Sequence, residues 1–197
     1  EFPGWLSFRP FAGAARGVVA GGEDAPLPIA AFGEIGLTGE LRSVAHHERR
    51  AEEAAKFYTS IFPNSRVVRV TAMPSESPSG PPGSVKVVEF VLFGQEFTAM
   101  TAGQMDPFNH AVSFVVNCEN QVEIDKYWNA LLQGGQPEAC GWLKDRYGVS
   151  WQIVPTIMFK LMADPDREKA KRVTDAMLKM VKFDIATLQA AAEGVPA

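Results

Sequence analysis

Long apolar runs are missing from this 197-residue sequence. None approaches the ~20 consecutive residues that carry a helix across a bilayer. Cysteine is scarce too. Cys118 and Cys140 are the only two, they form no Cys-x-x-Cys pair, and no second cluster completes a zinc site. Two reduced, mostly buried thiols are therefore expected, ahead of a disulfide or a nucleophile. Three histidines, His46, His47 and His110, are few for a metal centre. An excess of basic charge is also absent: 19 Lys and Arg face 23 Asp and Glu, a net charge of -4. That balance argues against a broad nucleic-acid surface, which needs a basic stripe. Trp5, Phe8 and Phe11 near the start are interrupted by Pro3, Pro10 and scattered glycines, so the continuous apolar core of a signal peptide is lacking. These absences lead us to expect a cytoplasmic protein with neither a membrane nor a nucleic acid as partner. The sequence begins Glu1-Phe2 rather than with Met, as a fragment, a processed form or a piece with a cloning scar does.

What is present suffices for a core, with 46% hydrophobic and 21% charged residues, the ordinary balance of a globular chain. Residues 1–28 are rich in Gly, Ala and Pro without a sustained period, and read as loop or arm. From Glu48 to Phe62 the residues Ala54, Phe57, Tyr58, Ile61 and Phe62 follow the spacing of one buried helix face. Pro63-Asn64-Ser65 stops it, and Val67, Val68 and Val70 begin a strand. Residues 74–83 hold four prolines, too many for a helix or a central strand. Val85–Phe93 and Phe97–Thr101 read as a hairpin turning at Gly94-Gln95. A strand is then expected over Ala111–Val116 and a helix over residues 121–133, ended by Gly134-Gly135. Two more strands, Cys140–Leu143 and Ser150–Val154, flank the polar turn Lys144-Asp145-Arg146-Tyr147-Gly148. Pro155 opens a helical tail, with a break and fresh cap at Asp164-Pro165-Asp166 and a further cap at Asp184.

The pattern repeats. Each central helix is followed by a break, an extended segment and a hairpin, and the second also has an opening strand, AVSFVV, before it. Duplicated supersecondary units of this length predict an α+β fold of paired βαβββ modules with C-terminal helices. The alternative is an α+β domain with two merely similar helices.

The segments AEEAAKFYTSIFPNSRV, FNHAVSFVVNCENQVEIDKYWNALLQGGQPEACGWLKDRYGVSWQIVP and DPDREKAKRVTDAMLKMVKFDIATLQAA resemble the PhnB-like family, often labelled 3-demethylubiquinone-9 3-methyltransferase. The resemblance spans about Ala51 to Ala192, and GWLKDRYGVSWQIVP is its most specific piece. It implies the vicinal-oxygen-chelate architecture shared by glyoxalase I, extradiol dioxygenases and bleomycin-resistance proteins, and a homodimer. An S-adenosylmethionine methyltransferase would instead show a glycine-rich turn after the first strand of a doubly wound sheet, and no such arrangement is found here.

Metal chemistry in that superfamily needs His, Glu or Gln side chains from four strands around a divalent ion. By the resemblance, the usual His of the second module falls at about Ala111, its usual Glu at Gln152, and the usual Glu of the first module near Thr98. Ala and Thr cannot replace those ligands, and one neutral Gln does not make a site. We therefore expect no metal and no cofactor. His110 lies one residue from the lost ligand position, and a partly exposed loop histidine is the simpler reading. His46 and His47 are neighbours about 100° apart on a helix and do not chelate one ion together. The residues expected to face a ligand are Gln152, Asn109, Thr98 and Ser113, with Trp142, Trp151 and Tyr147 as aromatic walls. Against this stands a plain alternative: Trp142 and Trp151 as core, and Lys144-Asp145-Arg146 as a solvated turn.

The N-terminal part reads differently. PLPIAAFGEIGLTGELRSVAHHERRAEEAAKF resembles the C-terminal Lon-like domain of RadA-type DNA-repair ATPases, over about Pro26 to Phe57. The ATP-binding loop and zinc motif of those proteins are absent. The organisation expected is thus a RadA-like segment over 1–50, paired modules over 51–155, and a helical tail of the same domain over 156–197. Either Ala30–Ile35 or Glu40–Ala45 is expected to substitute for the first module's opening strand, leaving an open sheet edge otherwise. The function expected is metal-free binding of a small molecule. The alternatives are a metal-dependent enzyme of the superfamily, a DNA-repair fragment, and a fusion without selected function.

Overall fold

The structure, a computed structural model, describes residues 51–101 and 108–195. The described chain falls into two compact units, the first ending at Phe108 and the second beginning at Asn109. It is an α+β protein of two αβ modules followed by helices. The proposed substitute strands, the RadA-like segment up to residue 50, and His46 and His47 lie outside the described residues.

In the first unit, helix α1 (Ala51–Ile61) buries Ala51, Ala54, Ala55 and Tyr58, and Phe62 follows them into the core. Asn64, with φ at 52°, turns the chain out of the helix. Strands β1 (Arg66–Ala72), β2 (Lys86–Leu92) and β3 (Gln95–Met100) form an antiparallel sheet in that order, with a bulge between Val67 and Arg69. The hairpin turn is Phe93-Gly94, one residue earlier than expected. Both residues have positive φ, the geometry that matches strand twist across a two-residue loop. Val88, Phe90, Phe97 and Ala99 alternate onto the side that α1 covers.

The second unit has all five elements of a βαβββ module. They are β4 (Phe114–Cys118), α2 (Gln121–Leu131), β5 (Gln136–Pro137), β6 (Trp142–Lys144) and β7 (Ser150–Pro155). The sheet order is β4-β7-β6-β5, and β4 runs parallel to β7. A parallel pair needs a crossover between its strands, which α2 begins. Asn120 caps α2 by accepting from the Glu123 amide. Phe114, Val116, Cys118, Leu143, Trp151 and Ile153 line one face of the sheet, buried with Ile124, Trp128 and Leu131 of α2.

Three boundaries differ from expectation. The opening strand starts at Phe114, because residues 109–113 are spent in a turn that Asn109 closes by accepting from the Ala111 amide. The strand expected from Cys140 starts at Trp142, because Cys140 and Gly141 both take left-handed φ. Their amides instead donate to the Met180 and Val181 carbonyls. Pro165 precedes the next helix rather than opening it, since Asp166 is the residue that accepts from the Glu168 and Lys169 amides.

The tail comprises α3 (Thr156–Met162), α4 (Arg167–Met177) and α5 (Ile185–Glu193). Asp184 caps α5 through the Thr187 amide, as expected. Gln121 donates to the Phe183 carbonyl and accepts from the Ile185 amide, tying the tail to α2. No described helix is long and apolar enough to cross a membrane.

Candidate functional site

The second unit's sheet has one face toward α2 and one away from it. Because Phe114 and Trp151 are core, alternation sends Ser113, Val115 and Asn117 of the β4 segment, and Ser150, Gln152 and Val154 of β7, to the other face. The register puts Val115 beside Gln152 and Asn117 beside Val154. On the far side of β7, Trp142 pairs with Gln152 and Lys144 with Ser150. The face is thus a patch of hydroxyls and amides, one lysine and one tryptophan.

Three observations define its chemistry. First, the Gln152 Nε2 donates to Ser113 Oγ at 2.8 Å. Reversing the amide assignment exchanges donor and acceptor but leaves the count unchanged. In either case two donors remain beside free acceptor lone pairs for a ligand. Second, Ser150 Oγ and Asn117 Oδ1 are the buried side-chain polar atoms without a hydrogen-bond partner among the described residues, and both belong to this face. Such atoms are rare in folded proteins and costly, so two on one face mark it. Third, His110 Nε2 lies 2.9 and 3.0 Å from the two carboxylate oxygens of Glu138, and its ring centre is 6.1 Å from that of Trp142. His110 is a partly exposed turn histidine, as expected, and it is engaged with a carboxylate.

The expected site residues separate accordingly. Gln152 and Ser113 are bonded to each other, and Trp142 shares their face. Asn109 is exposed, with its side-chain oxygen used in its own turn. Tyr147 sits in the β6–β7 turn, its amide donating to Asp145. Trp151 is on the opposite face, 1% exposed, with its ring 5.2 Å from that of Phe114. Its indole N–H donates to Asp145 at 2.9 Å. Asp145 is no solvated turn residue: it is buried and also accepts from the Tyr147 and Val149 amides. Thr98 belongs to the first unit, half-buried on the face of β3 away from α1. Its neighbour across the ladder, Glu89, is held by two hydrogen bonds from Arg69.

Asn117, Ser150 and Lys144 escaped the sequence reading. The phase fixed by Ser113 and Gln152 places them on the same face, Asn117 four residues from Ser113, Ser150 two from Gln152 and Lys144 across from Ser150, so alternation and register would have found them.

Among the described residues no three His, Cys, Asp or Glu side chains gather as metal ligands do. Ala111, the position expected for the family's His, is exposed in the turn, and the neutral Ser113 stands next to Gln152 instead. Neutral hydroxyl and amide donors do not fit a divalent ion that requires carboxylate or imidazole ligands. Neither cysteine alters this picture. Burial pushes the Cys118 thiol up to about 12, helped by Glu123 and Glu119, which leaves it protonated and unreactive at neutral pH.

The fold defines an α+β protein whose second unit is a complete βαβββ module. Comparison with known sequences gives the family: the profile described as 3-demethylubiquinone-9 3-methyltransferase matches residues 41–154, more than half of the chain, and the protein belongs to that family. The PhnB protein from Bacillus cereus is 34% identical over 55% of this chain and 93% of its own, with a TM-score of 0.49. Protein PA1353 from Pseudomonas aeruginosa is 18% identical over 59% of this chain and 96% of its own, with a TM-score of 0.41. A protein from Staphylococcus aureus is 25% identical over 54% and 87%, with a TM-score of 0.21. No curated protein matches. The family match starts ten residues before α1, inside the segment that resembles RadA-type proteins.

Proposed function

We propose that this protein binds a small organic molecule on the sheet face of its second unit that points away from α2, without a metal ion, through the Ser113–Gln152 pair. The observation that carries the reading is that pair: a hydrogen-bonded hydroxyl and amide, keeping both donors and acceptors for a ligand, at the strand position where the family resemblance expects a charged ligand. Such an edge matches a group that itself has an acceptor beside a donor, as a primary amide or a hydroxycarbonyl does. Trp142, half-buried on the same face, supplies an apolar wall for a flat body. Methyl transfer is not part of the reading. The described sheets are an antiparallel triplet and a mixed quartet, not the doubly wound parallel sheet on which a nucleotide-like cofactor sits. The reading includes, from the family resemblance, a homodimer in the cytoplasm. The RadA-like resemblance contributes nothing to it.

The test is thermal unfolding of the full chain with benzamide and a chelator present. A ligand that binds the folded state raises the melting temperature. The expected result is a rise that persists with chelator and is lost in Gln152→Ala. A rise that requires an added divalent ion would favour the metal-dependent alternative.

A further inference from the structure

Among the described residues Lys144 has no carboxylate partner, and Ser150, its neighbour in the β6–β7 ladder, is only 2% exposed with an unpartnered hydroxyl. The charged side chains of the adjoining turn and strand are engaged locally. Asp145 is occupied by two amides and the Trp151 indole, Arg146 donates to the Gln133 carbonyl, and Glu138 holds His110. The cation and the buried hydroxyl are left on the Gln152 face, and both are donors. A donor pair of one ammonium and one hydroxyl selects an acceptor with negative charge, because a charge-assisted hydrogen bond outweighs a neutral one. A strand spacing is ~4.8 Å, so Lys144 on β6 lies one to two spacings, ~5–10 Å, from the Ser113–Gln152 pair on β4 and β7.

We infer that the ligand is a flat monocarboxylic acid with a second, neutral hydrogen-bonding group, its carboxylate held by Lys144 and Ser150 and its neutral edge by Ser113 and Gln152. This rests on the small-molecule reading above and adds the charge and length of the ligand. The carboxylate accepts from the Lys144 ammonium and the Ser150 hydroxyl, which satisfies the orphaned oxygen. The ring between the two groups lies along Trp142.

The experiment is calorimetric titration of the full chain with 3-carbamoylbenzoate and with its neutral diamide counterpart, isophthalamide, on the native protein, Lys144→Met and Ser150→Ala. The Lys144→Met change keeps the apolar stem and removes only the charge. The expected result is roughly tenfold tighter binding of the acid than of the diamide by the native protein, a preference lost in Lys144→Met and reduced in Ser150→Ala. Equal binding of the two probes, or an acid preference that survives Lys144→Met, would overturn the carboxylate assignment and leave the small-molecule reading standing. Failure of both probes to bind the folded native chain would overturn both.

Discussion

Asp145 is the residue on which the second unit's hairpin turns. Its two oxygens accept three hydrogen bonds, from the Tyr147 and Val149 amides and from the Trp151 indole, all within the stretch LKDRYGVSW. Removing a buried carboxylate strands those donors, and each buried, unsatisfied donor costs about 1–3 kcal/mol. Asp145→Ala is therefore expected to lower stability by roughly 3 kcal/mol in urea unfolding, and Asp145→Asn, which keeps an acceptor for the turn, by less. The same residue shows where sequence reading stops. A polar run between two strands looks like a solvated turn, and nothing in the letters says that one carboxylate folds back under a tryptophan two strand positions away. Trp151 illustrates the converse. Its position beside Gln152 made it a candidate wall, yet adjacent strand residues face opposite ways, and the one bonded to Asp145 went to the core.

At the scale of elements, the joints carry the constraints. Gly141 follows Cys140 in a doubly left-handed step, and a side-chain carbon on it would run into the Phe183 ring and the Ile153 carbonyl. Gly148, also left-handed, faces open space. Gly148→Ala is expected to cost about 1 kcal/mol from backbone strain alone. Gly141→Ala adds the clash and is expected to cost about 2–3 kcal/mol more, which paired chemical unfolding curves measure. In the first unit, α1 is tied to β2 through Glu52, which bonds Lys56 at 2.7 Å and Lys86 at 3.0 Å. Those two lysines lower its carboxyl to about 2 from an ordinary value of 4.5. A depressed folded-state value means the contribution is complete above about 4.5 and is lost as pH falls through about 2. Carbon-detected NMR titration of Glu52 should show that low midpoint, and Lys86→Met should raise it. A Glu52 midpoint near 4.5 would contradict the bridge. The helices and hairpins were legible from period and turn residues, since Ala54, Tyr58, Ile124 and Trp128 keep helical spacing. The strand starts at Phe114 and Trp142 were not, because an Asx turn and a left-handed pair consumed the residues before them.

At the scale of the whole molecule, family membership and the α+β modules agree, while the methyltransferase name of the family meets no doubly wound parallel sheet among the described residues. The sequence carried the repeated αβ pattern and named Gln152 and Ser113 among its site candidates, but the hydrogen bond that pairs them came from the structure. It did not reveal the unpartnered atoms of Asn117 and Ser150, which depend on packing around them. The central claim is metal-free recognition by the Ser113–Gln152 pair. The measurement that reaches it most directly is the side-chain amide signal of Gln152 in 15N-labelled full chain, followed as benzamide is added with chelator present. The account predicts a saturable shift of that signal, absent when Ser113 is replaced by Ala. A Gln152 signal that stays still with chelator and moves only when a divalent ion is supplied would contradict it.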